Sequence, residues 1–506
     1  MTTTTSAEAS FDSITGEDQR PTVDRENLLR QLKNILPATD ILTSAEDLHP
    51  YECDGLSAYR VLPMMVVLPT TLPQLQKIVT LCNELNIALI ARGAGTGLSA
   101  GALPSDGALL ISLARFNQIL DIDLENRLAR VQPGVRNLAI SQAVDQYGLF
   151  YAPDPSSQIA CSIGGNVAEN SGGVHCLKYG LTVHNVQALK VLTIDGDIIE
   201  IGNQALDSAG YDLLALMHGS EGMLGIIVEV SVKLLPKPQS TQVLLIAFDN
   251  VADAGNAVTA IISDGIIPAG LEMMDTLAIQ AAEDFIHAGY PTDAAALLLC
   301  ELDGSEAETE HLLARVQSIL ENFNVIEIRV AKNAAERTKL WAGRKAAFPA
   351  VGRLSPDYYC MDGTIPRARL ADVLTRISDL SAEYKLRVAN VFHAGDGNLH
   401  PLILYDANIE GELERTEEFG GRILEYCVEV GGTITGEHGV GLEKINQMCI
   451  QFQPQELSQF HAVKAAFDPK GLLNPGKAVP TLHRCAEFGA MHVHHGKLKH
   501  PDIPRF

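Results

Sequence analysis

Closely spaced cysteines are what this 506-residue sequence lacks most plainly. Its nine cysteines, at 53, 82, 161, 176, 300, 360, 427, 449 and 485, never fall in C-x-x-C spacing. An iron–sulfur cluster held by this chain is therefore not expected. An odd, scattered set fits the reduced thiols of a cytosolic protein. Basic residues are also scarce, 38 against 62 acidic, for a net charge of -24. That balance opposes binding to nucleic acid or to an anionic membrane surface. No apolar run approaches the roughly 18–20 residues that span a bilayer. The opening "MTTTTSAEASFDSITGEDQRP" has no basic segment followed by an apolar one, so it reads as a polar leader rather than a secretory signal. Repeats and low-complexity tracts are absent too.

What remains is an ordinary globular mix, 46% apolar and 20% charged, long enough for two or more domains with sizeable cores. Apolar periodicity predicts helix within 22–50 and again in "TLPQLQKIVTLCNELN", where Pro73 sits near the first turn. Short strands are expected in "MMVVLP" (64–69), "IALIARG" (87–93), "GALLISL" and "LARVQPGV", with a hairpin around Asp195-Gly196. Pro236 and Pro238 suggest a boundary. Beyond about 240, strands alternate with amphipathic helices, which suits a sheet covered by helices on one face. The histidine-rich stretch 482–506 reads as a tail rather than a catalytic element.

Two glycine-rich regions lie in the first half. "RGAGTGLSAG" is not a dinucleotide fingerprint, because the third required position holds Leu98 and no helix begins there. Glycines 93, 95, 97 and 101 still let backbone N–H groups approach an anion, and Thr96 and Ser99 add hydroxyls. Gly164, Gly165, Asn166, Asn170, Gly172 and Gly173 can do the same from another side. Two such nests suit one extended diphosphate better than a single phosphate.

In "VFHAGDGNLHPLIL" (391–404), His393 and His400 stand seven apart around Gly-Asp-Gly. On a helix they would lie two turns, roughly 10 Å, apart, and Gly395 and Gly397 disfavour a helix anyway. On a hairpin the two rings face each other at about 5 Å, which is half of a metal site. Asp396 reads as a turn former. "GTITGEHGVG" adds Glu437 and His438. If that stretch is extended, the two side chains point opposite ways, so one or the other would complete the ligand set, seldom both.

Together with these segments, "PDPSSQIACSIGGNVAENSGG", "HGSEGMLG" and "DPKGLLNPGK" occur in an order that resembles the FAD-linked 2-hydroxyacid oxidases with the vanillyl-alcohol-oxidase-type flavin fold. The match covers roughly 40 to 480, and "WAGRKAAFPAVGRLSPDYYCMDGTIPR" (341–367) and the tail are similar to the glycolate-oxidising branch of that family. The resemblance implies an α+β protein: a leader and helix (1–57), a two-subdomain FAD-binding domain (58–237), a cap domain on an antiparallel sheet (238–430), a segment returning to the flavin (431–480) and a tail (481–506). It implies that Arg92, Gly93, Ala94, Gly95, Thr96, Gly97, Leu98 and Ser99 cradle the pyrophosphate. Pro153, Asp154, Gly164, Gly165, Asn166, Asn170, Gly172 and Gly173 would wrap the diphosphate and isoalloxazine side. Glu221, Gly225, Ile227 and Asn474 would lie along the cofactor. Several relatives attach FAD through a histidine; the matching residue here is Thr96, so FAD is expected to be non-covalent.

By the same resemblance His393, His400 and Glu437 ligate a divalent ion, Zn²⁺ with Mn²⁺ or Fe²⁺ as alternatives, and His438 is the acid–base residue. Arg344 would take the substrate carboxylate, with Lys345 as the weaker choice. His175 and His184 stand as supporting residues. The chemistry needs these types: an aliphatic alcohol is a weak acid, a cation lowers its pKa, and an imidazole accepts the proton near neutral pH while hydride leaves for the flavin. The implied activity is oxidation of glycolate to glyoxylate, with D-lactate as the rival substrate, since one methyl is worth only about 1–3 kcal/mol. Electrons would pass to a second flavin-domain subunit and an iron–sulfur subunit, then to quinone. A flavin-free metallohydrolase, or a non-catalytic flavin-domain scaffold, are the readings from other classes.

Overall fold

The computed structural model describes residues 23–205 and 210–481; the leader and the histidine-rich tail lie outside them. Strands up to Lys233 form two larger sheets. The first orders Ile41–Leu42, Met65–Val67, Leu109–Ser112 and Leu89–Arg92, with the last three parallel. The crossover between its parallel strands Met65–Val67 and Leu89–Arg92 is the helix Leu72–Leu85, opened by a Thr71–Gln74 capping box and closed by left-handed Asn86. The helix predicted within 22–50 is shorter, Arg25–Leu32: Pro37 follows closely, and Ile41 pairs with Val67.

The second sheet is antiparallel, ordered Ile119–Asp123, Leu128–Val131, Ile226–Lys233, Val186–Leu192 and Ile198–Gly202. Its last two strands are the expected hairpin around Asp195-Gly196.

From Ser240 onward a single antiparallel sheet of seven strands runs Val325–Val330, Ser240–Phe248, Ala296–Gly304, Gly270–Asp275, Val388–Phe392, Pro401–Tyr405 and Asp357–Cys360. Helices cover both faces, not one. Leu244, Ile246 and Phe248 pack into the core beneath the helices Val251–Ser263 and Leu370–Tyr384, while Val243, Leu245 and Ala247 pack toward Thr276–Ile286 and Ala334–Val351. Neither alternate set in "VLLIAF" is polar, so both faces must be buried.

Among the described residues seven cysteines are free thiols. No helix among the described residues is long and apolar enough to cross a membrane.

Candidate active site

A cavity of about 460 Å³ opens between the glycine loops and the helix Ala334–Val351. From the first loop Gly93, Ala94, Gly95, Thr96, Gly97 and Leu98 line it. Arg92 and Ser99 stand behind the wall: Arg92 Nη1 donates to Cys53 O at 2.7 Å, and Ser99 Oγ donates to His438 O at 2.8 Å. Of the second region, Gly164, Gly165 and Asn166 line the cavity. They belong to the helix Ile163–Glu169, so this region is not one continuous loop. Glu221, Gly225, Ile227 and Asn474 line it as well.

The other expected cofactor residues shape the wall without facing the cavity. Pro153 O accepts from Asn137 Nδ2 at 2.8 Å, Asn170 Oδ1 accepts from Val183 N at 3.0 Å, and Asp154 pairs with His175. Gly173 has φ +150°, and a β-carbon there would come 2.6 Å from the Asp154 backbone. At Gly172 it would come 2.7 Å from Glu437 Oε2. Gly172 thus makes room for a side chain of the expected ligand set.

The cavity suits an extended diphosphate. Ser162 Oγ is buried beside Gly93 with no hydrogen-bond partner among the described residues, and any side chain at Gly93 would collide with it. An unsatisfied hydroxyl flush with bare backbone is the donor arrangement a phosphoryl oxygen needs. A neighbouring hollow of about 660 Å³ shares Gly93, Ala94 and Ser162, extending the space past the loop.

At the other end of the cavity stand His400, Glu437 and His438. His393 and His400 flank the turn between Val388–Phe392 and Pro401–Tyr405, with ring centroids 5.0 Å apart and planes at 87°. Glu437 Oε1 lies 3.4 Å from His393 Nε2, 3.1 Å from His400 Nε2 and 3.5 Å from His438 Nε2. At 3.1 Å the His400 contact is short enough for a hydrogen bond but lacks its angle, and among the described residues His400 Nδ1, His400 Nε2 and Glu437 Oε2 have no hydrogen-bond partner. The potential ligand atoms of His393, His400 and Glu437 lie within 4.8 Å of one another. Buried lone pairs that converge without bonding each other fit a cation between them.

The alternation expected at Glu437 and His438 fails, because the stretch is a loop. Asp362 accepts from the backbone N–H groups of Gly436, Glu437 and His438 at 2.9–3.1 Å, which turns both side chains toward the same centre. Lys444 Nζ holds Asp362 at 3.0 Å, and both are buried. Burial pushes the Asp362 carboxyl up, but Lys444 and the nearby imidazoles outweigh it and hold the group at about 2. Glu221 accepts from Val440 N and Gly441 N at 2.7 Å each. The loop is thereby clamped from both halves of the chain.

Glu272 is the second residue the sequence reading missed. It sits on the strand Gly270–Asp275, 1% exposed, and its oxygens take His393 Nδ1 at 2.8 Å and Arg344 Nη2 at 2.6 Å. With Nδ1 bonded to a carboxylate, the ring is turned so that His393 Nε2 faces Glu437. Burial opposes the His393 cation, but Glu272 more than reverses this and raises its pKa. Burial lowers that of His438. Arg344 does not line the cavity; Lys345 does, with Phe348 and Pro349. An acid flanked by apolar residues, in "GLEMM" and in "CMDG", was the available signal, since a buried carboxylate requires partners.

The comparisons agree with this architecture. Residues 63–202 match the model of an FAD binding domain, and 237–478 that of the FAD linked oxidases, C-terminal domain. The protein belongs to the FAD-linked oxidases and is an FAD-dependent oxidoreductase of that family. It is 64% identical to the glycolate oxidase subunit GlcD of Escherichia coli K12, over 96% of this chain and 97% of that one. Bacillus subtilis GlcD is 41% identical over 84% of this chain and 91% of its own, and the D-lactate dehydrogenase of Anaerostipes hadrus 34% over 89% and 96%. Among solved structures, p-cresol methylhydroxylase superposes with a TM-score of 0.76 at 17% identity, covering 90% of this chain and 97% of that one. An alkyldihydroxyacetonephosphate synthase gives 0.72 at 18%, covering 90% and 87%. These likenesses establish the vanillyl-alcohol-oxidase-type flavin fold.

Proposed function

We propose that this protein oxidises glycolate to glyoxylate, using non-covalent FAD and a divalent ion. The observation that carries the reading is the convergence of three imidazole nitrogens on Glu437 Oε1 at the end of the flavin-sized cavity. His393, His400 and Glu437 would hold the ion, which supplies a Lewis acid for the substrate hydroxyl. FAD supplies the hydride acceptor.

The chain's own residues do the rest. His438, kept neutral by burial, accepts the hydroxyl proton as hydride leaves the same carbon, so the alcohol loses both and becomes a carbonyl. Glu272 fixes the His393 ring. Arg344 is held behind the cavity wall by Glu272, so it would take a substrate carboxylate only by turning away from that partner. Phe348 and Pro349 keep the wall apolar and exclude water. Electrons then leave for partner subunits, a second flavin-domain chain and an iron–sulfur chain; the designation of the relatives as subunits supports such partners.

D-lactate is the second reading, favoured by the D-lactate dehydrogenases among the relatives. Anaerobic stopped-flow mixing of the loaded protein with glycolate, D-lactate and L-lactate decides between them: glycolate should bleach the flavin fastest. His438→Ala should slow that bleaching by roughly 10²–10⁴-fold and keep its FAD. Full-rate bleaching in the variant, or none by any hydroxyacid in the native protein, overturns the reading.

A further inference from the structure

Beside the flavin cavity opens a second hollow of about 350 Å³, walled by Asp154, His175, Glu301, Arg337 and Trp341. A single side chain, Lys345, lines both. It projects from the helix Ala334–Val351, three and four residues before Phe348 and Pro349, so all three share the face turned to the flavin cavity. Its neighbour Arg344 lies on the buried side, paired with Glu272.

Of the cations lining the hollow, Lys345 is the one that also faces the flavin cavity. Asp154 and Glu301 are bridged by the two ring nitrogens of His175 at 2.8 and 3.1 Å, and Trp341 Nε1 donates to Glu301 at 2.5 Å. Arg337 Nη1 donates to Thr241 O at 3.0 Å. Lys345 is exposed and has no ion pair among the described residues. In a chain of net charge -24, an approaching anion is repelled on average, so a local cation governs where it enters.

We propose that this hollow is the vestibule through which an anionic 2-hydroxyacid reaches the flavin and metal cavity, and that Lys345 draws the carboxylate from one into the other. The inference rests on the function proposed above. It makes Lys345 a positioning residue that acts on capture rather than on the chemical step.

The test is anaerobic stopped-flow reduction of the FAD- and metal-loaded protein by glycolate, from about 20 mM to about 500 mM salt. In Lys345→Ala the second-order rate constant at low salt falls about 10-fold and its salt dependence flattens. Lys345→Glu falls further, Lys345→Arg stays near the native value, and the limiting rate at saturating glycolate changes less than about two-fold. Oxalate, an unreactive dianion followed by its perturbation of the flavin spectrum, should show the same order of association rates. An unchanged rate constant and salt slope in Lys345→Ala and Lys345→Glu overturn the proposal, as does a loss confined to the limiting rate. If native protein is not reduced by any hydroxyacid, the functional reading fails while the oxalate measurement still judges Lys345.

Discussion

His393 Nδ1 lies 2.8 Å from Glu272 Oε1, and the two side chains are 3% and 1% exposed. The pair joins a turn residue to a strand 121 residues earlier and fixes which imidazole nitrogen faces Glu437. Replacing Glu272 should therefore weaken the metal site without touching a ligand. Glu272→Gln is expected to lower divalent-ion affinity roughly 10–100-fold with FAD content unchanged. Competition against a chelator, read by bound metal per flavin, checks this; native affinity in the variant would count against the second-sphere role.

Gly172 offers a steric test of the same centre. A β-carbon there would stand 2.7 Å from Glu437 Oε2 and 3.2 Å from Glu437 Cβ. Gly172→Ala should displace Glu437, losing bound metal and glycolate-dependent bleaching while the protein still folds yellow. Bound metal equal to the native level would show that the wall yields instead.

His175 predicts a pH dependence. It bridges Asp154, just ahead of the cavity-lining Pro155, and Glu301 of the seven-stranded sheet. Burial disfavours its cation, but the two carboxylates more than compensate, so its pKa stands well above 6.5. A group raised on folding stabilises fully below its unfolded pKa, and that contribution is lost as pH rises through the folded value. His175→Asn leaves the two acids facing each other without a cation. The native-minus-variant difference in Tm should be largest below about pH 6.5 and shrink in alkali. A difference that grows with pH would reverse the assignment.

The sequence made the local geometry of the site legible and hid its long-range ties. The hairpin reading of His393 and His400 holds because Gly395 and Gly397 permit a tight turn between apolar strands, and the 5.0 Å ring separation follows. That the stretch at Glu437 is a loop rather than extended was not legible, because its conformation is imposed by Asp362, 75 residues away, gathering successive N–H groups. Glu272 went unseen for the same reason. Among the expected flavin contacts, Pro153, Asp154, Asn170, Gly172 and Gly173 sit one layer behind the cavity: residue type reveals that a backbone must approach closely, not what it approaches. The helices on both faces of the cap sheet were foreshadowed by "VLLIAF", whose two alternating sets are equally apolar.

The clamped segment from Gly436 to Leu442 has a bearing on how the holoprotein assembles. Ser99 and Glu221 grip it from the dinucleotide side, Asp362 and Lys444 from the other, so nothing loosens one grip without disturbing the second. Filling either compartment should stiffen the shared segment and ready its opposite number. On the proposed function, cofactor and ion would then bind as mutually reinforcing events, each raising the other's affinity without being required for it.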